Sequence, residues 1–523
     1  MKPLTTSVYT FEKLCIGGFL YVDKTAGIHE LIEPAFAQYF LSRPRRFGKS
    51  LLVSTIHSGY FQGRRDLFEG LALADMDYDW QTYPVIHLDM GTTAAETPKD
   101  IAHKMNYLLD RNAVNFGITL QQTDCADRFL ELVNTLAARD GKVVILIDEY
   151  DKPLLGHLGQ ESAREIQTVL KQFYSVVKAT EEQQRFVLIT GVSKFSKVSI
   201  FSDLNNLTDL TMDRRAATLL GYTQEEVEAN FPDYIERLAT SKGMNADETI
   251  EELRVWYNGY KFHQDAPSVY NPVSLMKCFM NEEFKNYWFE TGTPTFLLDL
   301  LKRKPIDLGN LTAPEDSFSV YEADRLHSLP LLFQTGYLTI RGATRIGRRR
   351  QYQLGFPNFE IEESLSMAVS SSFANLELQE SNSALTNMVK ALQAGDVDTM
   401  LEHLKTFFHS VQYDLIEEKQ KEKYYQTIFF TVFKLVGAMI DAEVRTSRGR
   451  IDAVIRTSDH ICIFEFKLNG SADDAMAQIK DKQYAAPYRD DPRQVILVGV
   501  AFDWKDRNLG AWRIEPAAAF EGN

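Results

Sequence analysis

The chain has 523 residues, 44% of them hydrophobic, and its 57 basic and 72 acidic side chains leave a formal net charge of -15. That length exceeds a single hydrophobic core and predicts about three or four domains, and the composition is that of a folded protein rather than a disordered or fibrous one. The acidic balance excludes a surface that coats nucleic acid indiscriminately, so any such contact has to come from a local basic patch.

Cys15, Cys125, Cys278 and Cys462 share no C-x-x-C spacing, which removes the usual zinc and redox patterns and leaves buried thiols in a reducing compartment. The N-terminal residues lack the apolar run of a signal peptide, and no stretch reaches the length of a membrane span. The expectation is a cytoplasmic protein with no membrane partner.

In chain order, the first chemical signal is Arg43-Pro44-Arg45-Arg46-Phe47-Gly48-Lys49-Ser50, between the apolar runs Tyr39-Phe40-Leu41 and Leu51-Leu52-Val53. Strand, loop, then helix is the order of a phosphate-binding loop. Gly48 lets the backbone approach a phosphate, Lys49 reaches the β and γ phosphates, and the Ser50 hydroxyl takes Mg²⁺. Arg46, Phe47 and Leu51 complete the predicted nucleotide contacts. Arg43 stands where the general pattern G-x-x-x-x-G-K-[ST] has its first glycine, and an isolated Gly-Lys-Ser also describes an ordinary turn before a surface helix.

Pro84 to Met90 reads as a buried parallel strand and Ile101 to Ala137 as helices. Val143 to Ile147 is an apolar run ending in Asp148-Glu149, so the strand tip presents two carboxylates where an open α/β sheet binds its ligands. Asp148 is expected to hold Mg²⁺ through water beside Ser50, and Glu149 to polarise the water attacking the γ-phosphate. Acidic residues also end many strands at the solvent edge, but that alternative leaves the upstream Gly-Lys-Ser unexplained. The strand Arg185 to Thr190 follows, with Thr190 or Ser193 as the group that senses the γ-phosphate. Arg214 and Arg215 are candidates for an arginine finger, without an assignment.

Thr223 and Glu226 form a capping box that would open a helical lid. Trp256 to Phe262 and Tyr270-Asn271-Pro272 read as core and corner packing. Leu331 to Ile340 is a helix end running into a strand, and Gln351 to Phe356 can pair back with it, the outline of a winged helix. Its tip carries Arg341, Arg345, Arg348, Arg349 and Arg350, a candidate contact to a nucleic-acid backbone and otherwise a solvated hairpin end. Pro357 to about Gln420 shows only helical spacing and reads as a connector.

Tyr424 to Ile440 is an apolar-rich helix pattern, followed by three short strands that place Asp452 on the second and Glu465 and Lys467 on the third. Alternation puts Glu465 and Lys467 on one side, and a hairpin would turn Asp452 toward them. Asp452 and Glu465 would then share a Mg²⁺, while Lys467 positions or helps deprotonate a water. A helix with Gln478 and Tyr484 comes next, then a strand from Gln494 to Val500. Glu-x-Lys on an exposed strand is often only an ion pair, but Ile461 to Phe466 is too apolar for a solvated position.

Together, Tyr21-Val22-Asp23-Lys24-Thr25, the loop Arg43 to Ser50, Ile147 to Asp151, Thr190 to Ser196, Gly221 to Glu226 and Trp256 to Tyr260 resemble the bacterial AAA-ATPase-like family whose C-terminal part is a PD-(D/E)XK nuclease-like domain. In that family the Arg-Pro-Arg-Arg-Phe-Gly-Lys-[Ser/Thr] loop is usual, so the resemblance accounts for Arg43 and implies binding of ATP with Mg²⁺. It also matches Asp452, Glu465 and Lys467 to the nuclease signature and Gln478 to the glutamine of the helix after it. The acidic residue that many members carry on the first nuclease helix has no clear counterpart, with Glu422, Gln426, Thr427 and Glu443 nearby.

The implied fold is multidomain α/β: a P-loop ATPase domain over 1–220, a helical lid and winged-helix-like region over 221–360, a connector over 361–420 and a restriction-endonuclease-like domain over 421–523. The implied function is an ATP-binding, ATP-hydrolysing domain that regulates a Mg²⁺-dependent nuclease acting on nucleic acid, DNA first. A nucleotide-dependent binding or signalling switch with a non-cleaving nuclease-like domain is the alternative, and a homo-oligomer is compatible with either.

Overall fold

The structure is a computed structural model and describes residues 1–94, 96–157, 162–194, 206–288, 295–303, 306, 311–318, 328–374, 378–409, 432, 445–446, 452–467, 470–503 and 508–517. The chain divides into two compact units, Met1–Trp288 with Thr312–Ile361, and Phe289–Leu311 with Glu362–Asn523. The first takes in most of the expected segments 1–220 and 221–360, and the second most of 361–420 and 421–523. Among the described residues no helix is long and apolar enough to cross a membrane. All four cysteines are free thiols, three of them buried.

The first unit is built on strands β1 (Ala37–Ser42), β2 (Val85–Asp89), β3 (Val143–Asp148), β4 (Gln184–Gly191) and β5 (Thr208–Asp209), in the order β2-β3-β4-β1-β5. Every neighbouring pair is parallel. Both faces of such a sheet are covered, which is why β3 reads as a continuous apolar run and every one of its residues is buried. Phe40, Ile145, Ile147, Val187 and Ile189 join Leu132 and Leu170 of the flanking helices in one core, each such side chain worth about 1.5–3 kcal/mol in burial. The long helices Pro98–Asn115 and Cys125–Asp140 start at side-chain caps, Thr97 and Asp124.

Parallel register brings the carboxyl ends of the strands level: Asp89 lies beside Asp148, Leu41 beside Thr190 and Ser42 beside Gly191. The exposed edge of β2 is closed by one side chain, since Asn112 accepts from His87 N at 3.0 Å and donates to His87 O at 2.9 Å.

The Thr223 and Glu226 capping box forms as the sequence predicts and begins the helix Gln224–Asn230. Phe231, Tyr257, Tyr270 and Leu275 pack into a second core, and Asn271 caps the helix Pro272–Asn281. Strands β6 (Thr312–Pro314), β7 (Thr339–Ile346) and β8 (Arg349–Gly355) form a sheet in the order β6-β8-β7, with the helix Ser328–Thr335 between β6 and β7 in the chain. The predicted hairpin is therefore present, with a third strand that sequence reading did not foresee.

In the second unit, β9 (Arg445–Thr446), β10 (Asp452–Arg456), β11 (His460–Lys467), β12 (Gln494–Asp503) and β13 (Asn508–Pro516) form a sheet in the order β13-β12-β11-β10-β9. β10 and β11 are antiparallel, and β11 and β12 are parallel across the helix Ala472–Asp481. Ser471 and Asp474 form that helix's capping box. Most of the expected helix Tyr424 to Ile440, with Glu422, Gln426, Thr427 and Glu443, lies outside the described residues.

Candidate nucleotide and nuclease sites

The loop after β1 turns through two left-handed residues, Arg46 at φ 65 and Gly48 at φ 90. A Cβ on Gly48 would have its nearest neighbour at 4.0 Å, so the backbone conformation, not space, favours glycine there. Lys49 is buried, and its ammonium donates to Arg43 O and Pro44 O, both at 3.0 Å. Burial lowers its pKa, and Asp148, Asp151 and Glu149 act in the opposite direction.

Arg43 faces away from the phosphate cradle. Its buried guanidinium donates to Ser42 O at 2.9 Å, Thr211 O at 2.8 Å and Ala216 O at 2.7 Å, and lies 4.0 Å from the centre of the Phe262 ring. Burial pushes its pKa down to about 9, with Asp209 opposing the shift, so it is still cationic at neutral pH. The residue in the glycine position thus ties the loop to two later segments of the chain, an answer that spacing alone did not contain.

Ser50, Asp148 and Glu149 line one cavity of about 410 Å³ together with Asp89, His57 and His87. Thr190 donates its hydroxyl hydrogen to Asp148 Oδ1, which also accepts from Glu149 N. Ser193 is engaged elsewhere: Asp151, fully buried, accepts from its hydroxyl at 2.7 Å and its amide at 2.9 Å. Of the two sensor candidates, Thr190 is therefore the one that touches Asp148. Glu149 sits at φ 52, and burial raises its pKa despite Lys152 and Lys49, which strengthens it as a base. A hydroxyl and a carboxylate are the hard oxygen donors that Mg²⁺ takes, so Ser50 and Asp148 fit that ion.

Sequence reading missed His57 and His87, whose rings lie 5.5 Å apart. Burial and then His87 drive the pKa of His57 down to about 4, and burial lowers that of His87 too, so both are neutral at pH 7. The signal for His87 was available, because strand alternation puts it on the same face as Asp89. His57 had none, as it lies in a π-helical turn, Thr55–Tyr60, that continues the loop's own helix.

In the second unit Asp452 pairs in register with Glu465. Glu465 is fully buried, and Lys467 Nζ meets its Oε1 at 3.0 Å while also donating to Gln478 Oε1. Gln478 Nε2 in turn donates to the Tyr484 hydroxyl at 3.2 Å. The structure thus brings Glu465, Lys467 and Gln478 together as expected, and it adds Tyr484 as the anchor of the glutamine. Buried carboxylate oxygen at Glu465, with Asp452 opposite on the neighbouring strand, suits a hard divalent cation.

The five hairpin arginines separate into two groups. Arg341 donates to Phe356 O, and Arg350 pairs with Glu315 at 2.9 Å. Arg345, Arg348 and Arg349 are exposed around Ile346, itself 67% exposed.

Two family descriptions match the chain, a predicted AAA-ATPase over residues 5–201 and a PD-(D/E)XK nuclease superfamily domain over residues 420–512. A protein of Azotobacter chroococcum mcd 1, described as an uncharacterized protein in the vnfD 5' region, is 38% identical over 529 residues, spanning 98% of this chain and 99% of its own. Among solved structures, the Aeropyrum pernix ORC1 protein in complex with DNA is similar at 14% identity and a TM-score of 0.25, over 66% of this chain and 91% of its own. The ORC2 protein of the same organism is similar at 12% identity and a TM-score of 0.30, over 69% of this chain and 93% of its own. Both are too distant to bear on function. The length and identity of the Azotobacter match, with the two domain matches on this chain, place the chain in the bacterial AAA-ATPase-like family that carries a C-terminal PD-(D/E)XK nuclease superfamily domain.

Proposed function

We propose that the P-loop unit binds and hydrolyses ATP with Mg²⁺ and thereby controls a Mg²⁺-dependent nuclease in the second unit, acting on DNA in the cytoplasm. The observation that carries the nuclease half is Lys467 held between Glu465 and Gln478, with Asp452 in register opposite Glu465. An ammonium fixed on two sides is positioned to hold a water and to stabilise the hydroxide left when that water gives its proton to solvent. The water oxygen attacks phosphorus, the bond to the leaving sugar oxygen breaks, and that oxygen gains a proton. Mg²⁺ bound by Asp452 and Glu465 would supply charge neutralisation at the phosphate. Glu465 and Gln478 keep Lys467 in place while Tyr484 fixes the glutamine amide.

In the P-loop unit, Lys49 would contact the phosphates and Ser50 and Asp148 would hold the ion, while Glu149 accepts a proton from the attacking water. Thr190 orients Asp148. Arg345, Arg348 and Arg349 make the nucleic-acid backbone contact, whereas Arg341 and Arg350 shape the hairpin.

The test is cleavage of linear, circular and single-stranded DNA by the purified protein with Mg²⁺, in the presence of ATP, a non-hydrolysable analogue or neither. Asp452→Ala and Lys467→Ala should each abolish cleavage and leave ATP binding intact. Undiminished cleavage by both variants refutes the assignment. Nucleotide-dependent DNA binding without cleavage by the unaltered protein would instead select the switch reading.

A further inference from the structure

The arginine-tipped hairpin is fastened to the phosphate-binding loop at its base. Gly336, three residues before β7, sits at φ +89, and a Cβ there would lie 2.7 Å from the Cβ of Pro44. Two residues earlier, Gln334 Oε1 accepts from Lys194 N at 2.7 Å, next to the Ser193 that Asp151 holds. Thr339 opens β7, and its hydroxyl oxygen accepts from Lys261 N at 2.7 Å.

Past β8, Asn358 Nδ2 donates to Asn258 O at 2.8 Å. The stretch Asn258 to Phe262, which carries the partners of both anchors, lies against the loop itself. Phe262 underlies Arg43 at 4.0 Å, and Tyr260 and Phe262 meet the Phe47 ring edge-on at 4.8 and 5.5 Å.

Lys49 donates to the carbonyls of Arg43 and Pro44. A phosphate that takes up that ammonium competes with those carbonyls for it. They belong to the two residues that bear on Phe262 and Gly336, so a change at the loop falls directly on both anchors of the hairpin. Close-packed contacts of this kind pass between discrete arrangements rather than yielding gradually.

At the far end, Arg345, Arg348 and Arg349 surround an exposed Ile346 on a two-stranded ribbon. In a chain with a net charge of -15, a cationic ribbon tip of this size is complementary to a polyanion, and a two-stranded ribbon fits a groove of duplex DNA.

We infer that ATP at the phosphate-binding loop and duplex DNA at the hairpin tip bind with a linked free energy, through the Pro44–Gly336 and Arg43–Phe262 contacts. The inference rests on the reading of the hairpin as a DNA contact.

The experiment measures the affinity of the full chain for a fluorescein-labelled DNA duplex by anisotropy. It is run without nucleotide, with Mg-ADP, and with Mg²⁺ and a non-hydrolysable ATP analogue. The expected result is a change of about fivefold or more in duplex affinity between nucleotide conditions, with the duplex changing analogue affinity by the same factor. Replacing Arg345, Arg348 and Arg349 together by Ala should weaken binding and reduce the slope of log affinity against log salt by about 2.7. Thr339→Val keeps the side-chain shape and removes the acceptor for Lys261 N. It should leave the nucleotide-free duplex affinity near the original and bring the linkage factor toward one, and Gln334→Met provides a second variant should Thr339→Val fold poorly.

Equal duplex affinity under every nucleotide condition overturns the linkage while the triple arginine variant still reports on the contact. An unchanged salt slope in that triple variant overturns the contact itself. Full linkage retained in both Thr339→Val and Gln334→Met overturns the route.

Discussion

Replacing Arg43 by Gly would restore the glycine of the general phosphate-loop pattern, and the structure predicts that it destabilises the protein. The guanidinium donates to three backbone carbonyls at 2.7–2.9 Å and lies over Phe262. Hydrogen bonds from a charged donor are worth about 1.5–3 kcal/mol each, and a desolvated cation–π contact about 2 kcal/mol. Against them stands the desolvation of a fully buried cation, an offset of several kcal/mol. The net expectation is a loss of about 3 kcal/mol, augmented by the cavity left beside Phe262.

A chain of two units does not unfold in one step, so a global melting curve is a poor reading of this loss. Hydrogen exchange of the β1 and β4 amides reports the opening of the sheet that Arg43 braces. There, 3 kcal/mol corresponds to about a 150-fold faster exchange. Acceleration below about fivefold, with nucleotide affinity equal to or better than the original, would show that Arg43 is an incidental occupant of the position and would refute the bracing argument.

Glu149→Gln should keep ATP binding and lower hydrolysis by about a hundredfold or more, read as phosphate release under saturating ATP. Because burial raises the Glu149 pKa, the hydrolysis rate of the unaltered protein should fall with acid at a higher pH than an ordinary carboxylate would give. Thr223→Ala removes the acceptor of the capping box in the helix Gln224–Asn230 and should cost about 1 kcal/mol, measured as faster exchange of that helix's first amides. Glu360 is buried, and burial pushes its pKa up from 4.5 to about 7 although Trp288 N and Tyr287 N donate to it. A carboxyl raised on folding binds its proton more tightly in the native state, so stability is highest below pH 4.5 for this group and falls as pH rises to about 7. The loss amounts to about 3 kcal/mol, and Glu360→Gln should flatten, across that range, the pH dependence of amide-exchange protection at Tyr287 and Trp288 once intrinsic exchange rates are divided out.

The sequence by itself determined the parts whose chemistry is local. Gly48-Lys49-Ser50, the apolar run ending in Asp148-Glu149, the Thr223 capping box and the Glu465-x-Lys467 alternation each depend on neighbours a few residues apart, where helix and strand periods leave few options. The pairing of Asp452 with Glu465 was also legible, because a short hairpin fixes its register.

What only the tertiary structure decided is how groups distant in the chain share one place. Arg43 meets carbonyls at Thr211 and Ala216 and the ring of Phe262; His57 meets His87; and Glu315 claims Arg350 from the arginine cluster. Asp151 takes Ser193 and leaves Thr190 to Asp148. None of these follows from periodicity, because each is settled by the desolvation of a polar group that has to find a partner wherever the packed chain brings one.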